Sequence, residues 1–145
     1  MEFSEVVRRR RMTRHYSDKP LAPEVIERIL ASALRAPSTG FSQGWEDCAE
    51  ARWPAPYWHI DTGMAALLML LTAVDEGLGA CFFGIMPKHL QPFREEFGVP
   101  DEYTPIGGIT VGYRADDAPP QGARVAERRR SAGEVIHRGQ WGRHA

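Results

Sequence analysis

Residues 64–74, MAALLMLLTAV, limit the folds open to this chain more than any other stretch: ten of the eleven are apolar. Such a run needs cover on all sides. It is too short to cross a bilayer, so it reads as a buried helix around which the other elements gather. Asp61 is expected as its N-cap and Gly77 as the residue just past its C-cap. A chain of 145 residues amounts to one domain. It can bury roughly two thirds of its unfolded surface, enough for one core.

The remaining elements follow from periodicity and punctuation. Phe3, Val6 and Val7 fall at helical spacing, and the arginine run at 8–11 suits a helix C-terminus. Pro23 opens the clearest amphipathic helix, with Val25, Ile26, Ile29, Leu30, Ala33 and Leu34 on one face, and Pro37 ends it. Residues 46–59 have no sustained period and read mostly as loop. LGACFFGI (78–85) reads as a short strand, 87–97 as a short helix restarted at Pro92, and IGGITVGY (106–113) as a second strand. The polar residues 114–145 cannot make a core of their own and are expected to wrap another surface.

Charge and motifs exclude several functions. The net charge is −1, so no global field favours nucleic acid or an anionic membrane, and no nucleic-acid-binding module is recognisable. Neither partner is expected. The opening MEFSEVVRRRR has no apolar leader core, and the two cysteines, Cys48 and Cys81, suit unpaired thiols in a cytoplasmic protein. Cys81 lies in an apolar run and reads as structural. Cys48, near Asp47 and Glu50, has neighbours that raise a thiol pKa, making it a poor nucleophile. His59 and Asp61 lack a third ligand at metal-binding spacing, so no metal is expected. GLGACFFG (77–84) has Phe82 where a dinucleotide fingerprint needs its third glycine. No Walker loop and no G-x-S-x-G occurs.

Two features are left over. The chain has 16 arginines against only Lys19 and Lys88, and arginines gather near both ends. They are either two solvated basic runs or forks that converge on one anion, since guanidinium binds phosphate bidentately. The uncharged APSTGFSQGW (36–45) is rich in small, hydroxyl and amide residues. It is either a connector or a loop lying against a flat ligand.

Five blocks, in order, resemble the FMN-dependent nitroreductase family. RRRMTRHY (9–16) is similar to the family's RRSxRxF box, and APSTGFSQGW to APSxxNxQPW. AVDEGLGACFFGI (73–85) is similar to its GLGxCxxG segment, GGITVGY (107–113) to its late strand, and RRRSAGEVIH (128–137) to its closing basic box. The resemblance implies an α+β sandwich with a central, mostly antiparallel sheet flanked by helices. It also implies an intertwined homodimer with FMN at each subunit interface, residues 1–145 forming one domain and 114–145 an extension wrapping the core or the partner. Arg10, Arg11 and Arg14, with Thr13 beside them, would contact the flavin phosphate, ribityl or pyrimidine groups. Arg128 and Arg130 would clamp the phosphate. Pro37, Ser38 and Thr39 would reach the partner subunit's flavin, and Phe82, Phe83 and Gly84 would lie along the ring.

The implied activity is hydride transfer from NADH or NADPH to FMN, then to a nitroaromatic, quinone or similar small acceptor in a ping-pong cycle. The flavin does that chemistry, so no acid–base residue is nominated. A flavin-binding protein with little reductase activity is the alternative. The chain departs from the family pattern at Phe41, where Asn is usual, and at Gly44, where Pro is usual. Several tens of residues between the Trp45 region and the apolar helix also lack a counterpart here.

Overall fold

In the computed structural model, residues 1–38, 55–117 and 128–143 are described; Thr39, Phe41, Gly44 and Cys48, singled out above, lie outside them. The described elements, in order, are α1 (Phe3–Arg9), α2 (Pro23–Ala33), α3 (Tyr57–Asp75), β1 (Gly79–Phe83), α4 (Pro87–Phe97), β2 (Gly108–Gly112) and a one-turn α5 (Ala132–Val135).

The apolar run forms α3, but the helix begins earlier than expected. Its N-cap is Pro56, and it takes in residues 57–59, expected in a loop. Proline pre-sets a backbone angle suited to helix entry, and no further proline interrupts the chain before Asp75. Asp61 is therefore not a cap. It sits in the second turn, with 3% of its surface exposed.

The other end agrees with expectation. Gly77 has φ 75°, and the N–H groups of Gly77 and Leu78 donate to Val74 O (3.0 Å) and Ala73 O (2.7 Å). That pair of bonds is a Schellman ending. It sends the chain directly into β1 and sets Leu78 in the core with Ala73.

β1 pairs antiparallel with β2, Gly79 opposite Gly112 and Phe83 opposite Gly108. The connection passes through α4, which opens on Pro87 and stops at Gly98 in the left-handed region, φ 62°. α4 does not restart at Pro92; it runs through it as one helix, the proline removing a single N–H from the ladder.

A third, irregular segment edges this sheet. Met12 bridges Ala80 in parallel, and Tyr16 bridges Arg114 antiparallel. The Ser17 N–H donates to Tyr113 O (2.9 Å) and the Ala115 N–H to His15 O (3.1 Å). The fold is thus α+β with a small antiparallel sheet.

Ile29, Leu70, Ala73, Leu78 and Ala80 form the buried core, with Met12, Val25, Met69, Phe82, Ile109 and Val111 packed around it. A bidentate ion pair ties α2 to the end of α3: Arg28 Nε and Nη2 lie 2.6 and 2.7 Å from the two Glu76 oxygens. α3 is less covered than its sequence demands. Its buried residues are Asp61, Leu70, Ala73 and Val74, while Ile60 and Leu67 are each 47% exposed. α2 likewise turns Ile29 inward and leaves Ile26, Leu30 and Leu34 outside, an i, i+4 stripe on its other flank. Two helices and a small sheet cannot surround an all-apolar helix. At 19 residues α3 is long and apolar enough, by length and composition, to cross a membrane. In this fold it packs instead against α2, β1 and α1.

Candidate functional site

The N-terminal arginine segment is fixed by the sheet. Arg10 is the C-cap of α1, its N–H donating to Val6 O at 2.9 Å, and the chain is extended from there. Thr13 is 3% exposed, and its N–H donates to Ala80 O at 2.9 Å. A Cβ at Gly79 would stand 2.6 Å from the Thr13 side chain, so only glycine allows this approach. The Tyr16 hydroxyl lies 2.5 Å from Thr13 O and 2.9 Å from Thr110 Oγ1, joining the segment to β2. Burial pushes the Tyr16 phenol above its ordinary pKa, with the Thr110 bond pulling the other way.

Along this stretch Arg11 and Arg14 are exposed, Thr13 is buried and Arg10 is half-buried. Arg11 Nε contacts Arg9 O at 3.4 Å. The ion pairs among the described residues engage Arg8, Arg9, Arg28 and Arg94, and none of those pairs involves Arg10, Arg11 or Arg14.

The far end of β1 carries the second group. Phe82 and Phe83 turn to opposite faces, and both rings crowd a glycine pair. A Cβ on Gly107 would fall 2.4 Å from Phe83 O and 2.8 Å from the Phe82 ring, and one on Gly108 2.6 Å from the Phe83 ring. Phe83 remains 43% exposed, and Gly84 is exposed with open space where a side chain would be. An aromatic face and an accessible stretch of backbone therefore share β1 with the anchored arginine segment. From Ala80 to Gly84 the strand rises by roughly 13 Å.

Pro37 and Ser38 follow α2, whose last N–H bonds run from Arg35 to Ser32 O and from Ala36 to Ala33 O, both 3.1 Å. With Ala33, Leu34, Ala36, Asp61 and Ala65 they line a cleft of about 20 Å³, room for about one water. Arg128 and Arg130 are exposed on the separately described piece 128–143. Arg130 Nη2 donates to Glu134 O at 3.2 Å, beside a capping box in which the Ser131 N–H and hydroxyl lie 2.7 and 2.9 Å from Glu134 Oε2.

The sheet thus brings Thr13 and its flanking arginines beside the strand that carries Phe82 and Phe83 and ends just before Gly84. Among the described residues, no hydrogen bond or ion pair joins Arg128 or Arg130 to these groups. Two residues of the site region escape sequence reasoning. Tyr16 has no periodicity to mark it, and Asp61 stands three residues before an apolar run, where a cap is the ordinary expectation.

The profile of the Nitroreductase family matches residues 7–47 and 49–113. A relative from Archaeoglobus fulgidus, named "Putative NADH dehydrogenase/NAD(P)H nitroreductase", is 26% identical over 152 aligned positions covering 80% of this chain and 87% of the relative. That span exceeds the chain's own 145 residues, so the relative carries residues with no counterpart here. Two solved structures share the fold. The NfrA1 nitroreductase from B. subtilis superposes with a TM-score of 0.77 at 19% identity, over 97% of this chain and 75% of that one. A nitroreductase with bound FMN from Bacteroides fragilis gives 0.69 at 17% identity, over 94% and 98%. With most of the chain matched, including the anchored arginine segment and both strands, it belongs to the nitroreductase family.

Proposed function

We propose that this protein is an FMN-dependent oxidoreductase that takes hydride from NADH or NADPH and reduces a nitroaromatic, quinone or similar small acceptor by a ping-pong mechanism. The observation that carries the reading is the coupling of two features on β1. Guanidinium groups with no carboxylate partner among the described residues lie at one end, on the segment anchored through Thr13. At the other, the Phe83 ring and the Gly84 backbone are accessible. The names of the Archaeoglobus and Bacteroides proteins, one citing NAD(P)H and the other bound FMN, support the same chemistry.

The residues present fit that cofactor. A phosphate needs several cations if it is to leave water, and Arg10, Arg11 and Arg14 supply them, with Arg128 and Arg130 as the second set. A flat heterocycle needs small neighbours and backbone groups at its rim. Pro37, Ser38 and Thr39 would meet one edge, and Phe82, Phe83 and Gly84 would lie along the ring. When bound, FMN supplies the hydride chemistry; this chain binds it, orients it and excludes water.

The cleft beside Ser38 is far smaller than the roughly 300–1,000 Å³ of a ligand pocket. The reading therefore includes a homodimer in which a second copy closes the site. The uncovered apolar stripe of α2 and the open flank of α3 favour such a contact, with residues 114–145 wrapping the core or the partner.

Anaerobic mixing tests this directly. Purified protein loaded with FMN should lose its visible flavin absorbance on addition of NADPH or NADH and regain it with a quinone. A flavin that binds but stays oxidised would leave a flavin-binding protein instead. The residues of the relative that have no counterpart here favour that second reading. A protein that takes up no FMN ends both.

A further inference from the structure

Among the described residues Asp61 is the one buried carboxylate, and nothing above uses it. Removing a carboxylate from water is costly unless hydrogen-bond donors reach it, so its place needs a reason. It does not cap α3, whose N-cap is Pro56 with no side-chain bond. The α2–α3 tie is made by Arg28 and Glu76 at the opposite end of α3. Among the described residues no cluster of three metal-ligating side chains exists.

What Asp61 faces is the small cleft closed by Ala33, Leu34, Ala36, Pro37, Ser38 and Ala65. Among the described residues every other wall is apolar except Ser38. The Arg35 and Ala36 N–H groups are already bonded to α2, and Pro37 has no N–H. Ser38 is the first residue after the helix able to offer both an N–H and a hydroxyl. A cleft with room for about one water puts the carboxylate within direct or singly bridged reach of it.

We infer that Asp61 is a positioning residue: across this cleft it fixes the backbone at Pro37 and Ser38, the segment that the proposed flavin site uses. The inference rests on that site reading for its functional consequence, but the positioning itself does not. A charge-assisted bond to the carboxylate holds Ser38 at a set distance from α3. The surface offered to a planar ligand is then formed before the ligand arrives, which lowers the ordering cost of binding.

The test compares Asp61→Asn, Ser38→Ala and the double variant in the full chain, each checked for folding by circular dichroism. In flavin-free protein, hydrogen exchange across residues 34–38 should rise at least about tenfold in Asp61→Asn, with exchange in β1 unchanged. FMN affinity should fall at least about tenfold in each single variant. The double should be no weaker than Asp61→Asn, because both changes break one interaction. Unchanged exchange at 34–38, or additive losses of affinity, overturns the inference. If wild-type protein binds no FMN, the functional reading has failed, and exchange alone decides the positioning. Should Asp61→Asn not fold, Ser38→Ala carries the test by the same exchange measurement.

Discussion

Arg10 and Arg14 flank a residue locked into the sheet, whereas Arg128 and Arg130 stand on a piece of chain organised by its own short bonds. On the N-terminal side, Thr13 donates to Ala80, Tyr16 reaches both Thr13 and Thr110, and glycine at 79 leaves room for the contact. On the C-terminal side, Arg130 meets Glu134 O, Ser131 meets Glu134, and the Gly142 N–H donates to His137 Nδ1 at 3.1 Å. His137 and Trp141 stack with centroids 4.2 Å apart, yet Trp141 is 90% exposed. One half of the proposed anion site is therefore preformed by the fold. The other, if Arg128 and Arg130 serve as proposed, is held together by bonds within its own piece of chain, and in the proposed homodimer it would close on a second copy.

The largest effect should come from the clamp. Replacing both Arg128 and Arg130 with alanine should weaken FMN binding by about 3 kcal/mol or more, at about 1.5–3 kcal/mol per charge-assisted bond. The melting temperature of the flavin-free protein should barely move, since exposed substitutions stay within about 0.5 kcal/mol. Full flavin retention would erase the contrast between the two ends.

Gly79→Ala should do the reverse. Its new Cβ meets the buried Thr13 side chain at 2.6 Å, and overpacking of this kind costs about 1–3 kcal/mol of stability. Denaturant unfolding measures it. An unchanged midpoint would mean that the N-terminal segment is held no more tightly than the tail.

Much of this architecture is legible in the sequence, for reasons tied to particular residues. Pro23, Pro87, Gly77 and Gly98 mark helix ends because their backbone preferences act locally, whatever the surroundings. β1 and β2 are legible from short apolar runs bounded by glycine. The cover of α3 is not, because hydrophobicity states that Ile60 and Leu67 prefer burial without stating which chain buries them. Asp61 misleads for a related reason. An aspartate before an apolar run is ordinarily a cap, and only the earlier helix start at Pro56 turns it into a cleft-lining group. The arginine and glycine blocks of the proposed site are marked in the sequence by resemblance alone. Tyr16 closes the RRRMTRHY block, but its tie to β2 depends on a contact 94 residues away that no local pattern announces.

The two ends should also respond to opposite extremes of pH, which sharpens the comparison with smaller effects. Tyr16→Phe removes the hydroxyl that donates to Thr13 O and pairs with Thr110 Oγ1, and should cost about 1 kcal/mol by denaturant unfolding. Burial raises the folded-state pKa of Tyr16 above the unfolded value. Its contribution is thus complete below about pH 10 and lost as pH rises through the folded value. The wild-type protein should lose the advantage over Tyr16→Phe in alkali.

Glu134 behaves in the opposite sense. The backbone N–H and then the hydroxyl of Ser131 hold its carboxyl below the ordinary range. The capping box is therefore intact above the unfolded glutamate value of about 4.3 and fails as pH falls through the lower folded value. Because Arg130 donates to Glu134 O, loosening α5 should loosen the proposed clamp and leave the sheet unchanged. The Ser131 amide proton should move upfield on acidification below about pH 4 while the Thr13 amide stays fixed. In Glu134→Gln, which keeps a box-forming side chain without a titrating group, the Ser131 shift should be flat over the same range. A Thr13 amide that moved together with Ser131 would mean that the two ends are one structural unit, and the contrast between a preformed half-site and a separate clamp would be gone.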